Sequence, residues 1–187
     1  MQWTQDVTNT RSPPQKRQQL PPSYADGVPT IRLLGLGDED ALALLARDDA
    51  AFDVGGRGRP RSPLPPDIAA AYLADPHVLH WVAEADGTIV GHLLCYLQRR
   101  RADDHAQLLL YEIGVRGDHR RRGVGSALVA AMLEWMKDAA VPSVWVLADN
   151  EEAEAFYAAC GFTRDDEQPV QMTRRVSAGA STERQSR

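Results

Sequence analysis

The sequence predicts a single mixed α/β domain, and three observations predict it. A short apolar run, Leu108-Leu109-Leu110-Tyr111-Glu112-Ile113-Gly114-Val115, passes through a glycine-bearing basic turn into a stretch of helical periodicity. An Asp86-Gly87 pair between two apolar segments marks a two-residue hairpin. Extended and helical patterns alternate from Thr30 onward, whereas both ends of the 187-residue chain lack an apolar period.

In chain order, residues 1–29 carry Pro13, Pro14, Pro21, Pro22 and Pro29 among Gln, Thr, Ser and Arg, and are expected to be disordered. Residues 30–176 read as the folded domain, long enough for one core. Residues 177–187 are polar and small, a second disordered end. Within the domain, residues 30–34 are a first strand. Asp38, Glu39 and Asp40 cap a helix whose inward positions are Leu42, Leu45 and, further on, Phe52. Residues 53–66 hold four prolines, three glycines and three arginines, which suits an irregular loop and no regular element. A short helix over 66–74, strands over 78–84 and 88–97, and a polar loop at 99–105 lead to the strand at 108–115, read as buried on both faces. Val124, Ala127, Leu128, Ala131, Met132, Trp135 and Met136 then recur at three- and four-residue steps, an amphipathic helix down to about residue 139. A strand over 144–148, a helix from Asn150 and a final strand complete the order β-α-α-β-β-β-α-β-α-β.

Composition excludes several classes of function. The formal charge is −5, and the acid excess sits in the domain, where 16 Lys and Arg stand against 23 Asp and Glu over 30–176. The arginines at 99–101 lack interleaved aromatics, so no nucleic-acid partner is expected. No apolar run is long enough for a membrane span or a secretory segment, so the expectation is a cytoplasmic protein without a membrane partner. Cys95 and Cys160 read as two buried reduced thiols. His77, His80, His92 and His105 have no spacing that suggests a metal, and none is expected.

The turn Arg120-Arg121-Arg122-Gly123-Val124-Gly125-Ser126 reads as a phosphate cradle. It opens a helix, whose first amides lack intrahelical partners and carry the positive end of the macrodipole. The alternative is a surface arginine run on a tight turn. Two nucleotide motifs are excluded: there is no G-x-x-x-x-G-K-[ST], and Leu128 stands where G-x-G-x-x-G needs its third glycine.

Residues 120–125 match [RQ]-x-x-G-x-[GA], and Asn150 to Phe162 match N-x-x-A-x-x-F-Y-x-x-x-G-F. Together these resemble the two signature elements of the GNAT superfamily of N-acetyltransferases. The strand and loop from Tyr111 to Arg121, with Ala148-Asp149 and the acids before Tyr157, are most similar to its aminoglycoside 3-N-acetyltransferases. The resemblance implies a central mixed, mostly antiparallel twisted sheet of six to seven strands flanked by about four helices. It implies acetyl-CoA as co-substrate, held by Ile113, Gly114 and Val115 along the pantetheine arm, by Arg120, Arg121, Arg122, Gly123, Val124, Gly125 and Ser126 around the pyrophosphate, and by Asn150. Glu112 becomes the expected base, against a structural carboxylate, and Tyr157 the expected acid, against a core aromatic. Asp149, Glu151 and Glu152 become an acidic rim for a small cationic amine, against simple helix capping. Direct attack in a ternary complex is implied, with a protein or metabolite amine, or a non-catalytic acyl-CoA-binding module, as alternatives. Dimers are common in that superfamily, which admits a homodimer here.

Overall fold

The computed structural model describes residues 29–52, 60–99, 106–165 and 172–174. They form β1 (Thr30–Leu33), α1 (Glu39–Arg47), the single turn α2 (Asp49–Phe52), α3 (Pro66–Ala74), β2 (Val78–Ala85), β3 (Thr88–Arg99), β4 (Ala106–Val115), a 3-10 turn (Gly117–His119), α4 (Val124–Asp138), β5 (Val144–Val146) and α5 (Glu151–Ala159). The strands make one sheet in the order β1-β2-β3-β4-β5, antiparallel throughout except that β4 and β5 run parallel. The mixed, mostly antiparallel class is as expected. The count differs: five strands among the described residues in place of six to seven, and five α-helices in place of about four. The expected last strand, after α5, has no counterpart among the described residues, and positions 166–171 and 175–176 lie outside them. So do residues 1–28, 53–59, 100–105 and 177–187, with the disorder and loop expectations that concern them.

Local chemistry explains most boundaries. Pro66 stands in the first turn of α3, where a missing N–H costs nothing. Asp86 and Gly87 both adopt positive φ, the conformation a two-residue hairpin turn requires. Asp38 precedes α1 but does not cap it: its carboxylate accepts from the Gly35 N–H at 2.9 Å and from Arg32 Nη1 at 2.8 Å. Arg32 also reaches Glu84, so it is the arginine that ties β1 to β2, while the aspartate holds the arginine and the turn at Gly35.

The sheet is covered on both faces. On one, Trp81, Leu93, Leu108 and Leu110 pack against Val124, Leu128, Val129 and Met132 of α4 and against Tyr157 of α5. On the other, Val82 and Ile89 pack under Leu34, Leu45, Phe52 and Leu73. The second cover does not reach the far edge of the sheet, so Tyr111 is exposed and β4 is not buried on both faces as its composition suggested. Cys160 is likewise only half-buried, whereas Cys95 is enclosed. No described helix is long and apolar enough to cross a membrane.

Two bulges set the faces. Opposite Ala83 and Glu84 of β2, β3 presents Gly91 and then Ile89, which leaves Val90 extra. Opposite Leu94 and Cys95 of β3, β4 presents Glu112 and then Leu110, which leaves Tyr111 extra. A bulge reverses the in-and-out alternation beyond it. Without the second, Glu112 would lie opposite Leu93 in the apolar layer beneath α4. With it, Glu112 shares the α1–α3 face with Leu94 and His80.

Candidate active site

The turn before α4 has the form of an anion site. Gly123 takes φ +82 at the helix N-cap and offers no side chain to cap the first turn, so the amides of Val124, Gly125 and Ser126 lack a cap. Arg121 and Arg122 are exposed around them. Arg120 is engaged elsewhere: its Nε donates to the Val115 carbonyl at 3.0 Å and its Nη2 to the Phe52 carbonyl at 3.3 Å. It therefore fastens the turn to β4 and α2, beside the Arg116–Asp48 ion pair at 3.0 Å. Gly125 also serves packing, because a Cβ there would come 3.1 Å from the Phe156 ring of α5.

β5 pairs only with Leu108, Leu109 and Leu110, so among the described residues β4 has no parallel neighbour from Tyr111 to Val115. Ile113, Gly114 and Val115 lie along this unpaired edge, which runs to the turn before α4. Glu112 stands on the same stretch, half-buried, and burial raises its pKa above the usual carboxylate range. Asp49 adds to the rise and Arg61, ion-paired to Asp49 at 3.3 Å, opposes it. Gly114 is buried for a reason the sequence did not show. A Cβ at this position would lie 2.6 Å from His92 Nε2 and 2.9 Å from Phe52 Cβ.

Tyr157 is on the opposite face, packed edge-on to Phe156 and tilted against Phe162. Burial pushes its pKa up to about 12, with Asp149 the next cause. Asp149 thus lies near enough to Tyr157 to act on it. Asn150 caps α5, its Oδ1 accepting from the Ala153 N–H at 2.8 Å, while its Nδ2 donates to Asp149 at 2.7 Å. Glu151 and Glu152 are exposed in the first helical turn. Glu112 and Tyr157 therefore lie on opposite faces of the sheet.

Sequence reasoning missed the surroundings of Glu112. Tyr72 of α3 and Tyr96 of β3 both feel its charge, and Tyr96 stacks edge-on with Tyr111 at 5.3 Å. The Tyr72 hydroxyl lies 3.1 Å from His80 Nδ1, and His80 Nε2 lies 3.4 Å from His92 Nδ1. Burial holds His80 down at about 3, helped by His92, and His92 at about 4, against a small opposing effect of Asp49. An unfolded histidine takes up its proton near pH 6.5. The pair's contribution to stability is thus complete above about pH 6.5 and is lost as pH falls toward 4. We expect the Tm of the wild type to drop more steeply across this window than that of a His80→Leu, His92→Leu double variant; equal slopes would show that the imidazoles are not neutral inside.

The acetyltransferase (GNAT) family model matches residues 43–162. Among curated relatives, a mycothiol acetyltransferase of Clavibacter sepedonicus is 36% identical over 139 residues, 73% of this chain and 42% of the relative. N-acetyltransferase family 8 member 2 of Rattus norvegicus is 29% identical over 112 residues, 59% of this chain and 49% of the relative. The chain thus spans less than half the length of these relatives. The aminoglycoside acetyltransferase meta-AAC0020 from an uncultured soil metagenomic sample, solved in complex with trehalose, superposes with a TM-score of 0.70. Its identity is 21%, over 82% of this chain and all of that one.

Proposed function

The chain belongs to the acetyltransferase (GNAT) family, and we propose that it moves the acetyl group of acetyl-CoA to a primary amine of a small cationic acceptor, with the 3-N position of an aminoglycoside as the candidate. The observation that carries this reading is the bulge at Tyr111, which places one partly desolvated carboxylate on the stretch of β4 that β5 leaves unpaired and that runs on to the uncapped, glycine-headed start of α4. The family uses acetyl-CoA, which supplies a thioester carbonyl for attack. The amides of Val124, Gly125 and Ser126, with Arg121 and Arg122 nearby, suit its pyrophosphate.

A primary amine is protonated at neutral pH and must lose a proton before it can attack. Glu112 takes that proton, and its raised pKa makes it a stronger base than an exposed carboxylate. Backbone N–H groups along Ile113 to Val115 stabilise charge on the carbonyl oxygen. Tyr157 keeps its proton at neutral pH and donates it to the departing thiolate. Tyr157→Phe should lower kcat about 10- to 100-fold with the KM for acetyl-CoA nearly unchanged; an unaltered kcat would remove the acid role.

Acceptor class is tested by CoA release with acetyl-CoA against aminoglycosides, spermidine, basic peptides and an uncharged amine. The highest kcat/KM is expected with a small polycation. Preference for basic peptides would make this a protein acetyltransferase, and acetyl-CoA binding without turnover would make it a binding module.

A further inference from the structure

Tyr72, His80 and His92 form a hydrogen-bonded chain that the proposed reaction does not use. We propose that Tyr72 is a second acceptor-binding residue, its hydroxyl aimed by His80 and His92 at the amine that Glu112 deprotonates. The proposal rests on the acetyl-transfer reading and names a specificity contact within it.

The strand register carries the argument. His80, Leu94 and Glu112 lie opposite one another on three successive strands, so they share one face. The His80 backbone stands about two strand spacings, roughly 10 Å, from the Glu112 backbone, and the Tyr72 hydroxyl lies 3.1 Å from His80 Nδ1. Burial raises the Tyr72 pKa, and Tyr72 lies near enough to Glu112 for that carboxylate to add to the rise. Leu94 between His80 and Glu112 is buried and apolar and does not compete for the amine. Tyr96, with its Tyr111 partner, lies on the same side and offers aromatic surface to a cation.

The histidines are otherwise hard to explain. Two imidazoles in a layer of Leu34, Leu45, Phe52, Leu73 and Val82 are costly to bury, and aliphatic side chains would fill the space without polar atoms to satisfy. The fold also leaves the side chain out of β4 at Gly114, where a Cβ would collide with His92 Nε2. What the pair supplies is direction. In the arrangement the proposal requires, Tyr72 donates to His80 Nδ1, the His80 Nε2–H donates to His92 Nδ1, and the phenol oxygen keeps only lone pairs for the amine. An ammonium group needs an acceptor of that kind. Both rings are neutral, so neither places a positive charge beside the cation.

The test compares Tyr72→Phe, His80→Leu, His80→Asn and the Tyr72→Phe, His80→Leu double variant, using the best cationic amine of the panel. Tyr72→Phe should raise the KM for the amine about 10- to 100-fold, the loss expected for one hydrogen bond to a charged group, and leave the KM for acetyl-CoA unchanged. His80→Leu should move the same constant, His80→Asn should restore part of it through an amide oxygen near the Nδ1 position, and the double variant should be no worse than Tyr72→Phe alone. Additive losses, or equal rises in both KM values, would overturn the proposal. If the wild type turned over no amine, the reaction itself would fall. The Tyr72 contact is then read by titrating spermidine into protein labelled with 15N-histidine. A His80 ring shift in the wild type that is absent in Tyr72→Phe supports the contact, and an unmoved ring overturns it.

Discussion

Glu112→Gln is expected to lower kcat about 10²- to 10³-fold and to leave the KM for acetyl-CoA nearly unchanged. Glutamine keeps the size and hydrogen-bonding reach of the side chain, so the cleft stays filled. It cannot take a proton, so the acceptor must lose its proton to water. The split between the constants follows from geometry: Glu112 projects onto the α1–α3 face, whereas the amides proposed to anchor the donor lie at the start of α4, past Val115. Steady-state CoA release with a saturating cationic amine measures it. A fall of less than threefold would mean that another group is the base, and an equal rise in the acetyl-CoA KM would mean that Glu112 holds the donor.

Gly114→Val is expected to destabilise the fold by about 1–3 kcal/mol, which corresponds to a Tm lower by roughly 3–10 °C for a domain of this size. The first carbon of any side chain at this position meets His92 Nε2 at 2.6 Å and Phe52 Cβ at 2.9 Å. Neither can retreat easily. His92 packs edge-on to Phe52 and against His80, and the Phe52 carbonyl is held by Arg120. Gly117→Ala is the control, because nothing lies within 4 Å of a Cβ there and its Tm should hardly move. If His92→Ala is made first, Gly114→Val should lose the part of its cost that comes from His92 and keep the part that comes from Phe52 Cβ at 2.9 Å. A Tm unchanged in Gly114→Val alone would contradict the packing described.

Periodicity made the elements legible, and the turn chemistry of Asp86-Gly87 and Gly123 made the connections legible. The bulges were not. A bulge adds one residue to one strand without changing the composition on either side of it, so no local pattern announces it. Extending the Asp86-Gly87 hairpin without interruption would pair His80 with Leu93 and His92 with Trp81, and place the two histidines on opposite faces of the sheet. The extra Val90 brings them to one face. The same holds for Tyr111, without which Glu112 would lie in the apolar layer under α4. Long-range partners were equally hidden. The Arg120 contact with Phe52 spans 68 residues, and the closeness of Gly125 to Phe156 depends on how α5 meets α4. Both residues had a local reading as phosphate ligands. Tyr72 was invisible for the same reason, since nothing near it in sequence refers to Glu112.

The most direct test of Glu112 as the base is the pH dependence of kcat/KM for the cationic amine in the wild type and in Glu112→Gln. Glu112 must be ionised to act, and burial raises its pKa, so wild-type activity should fall on acidification through an ionisation above the usual carboxylate range. That limb should vanish in Glu112→Gln, leaving only the ionisation of the amine itself. The same acid limb persisting in the variant would contradict the assignment of the base and, with it, the reading of this cleft as the place where the amine is acetylated.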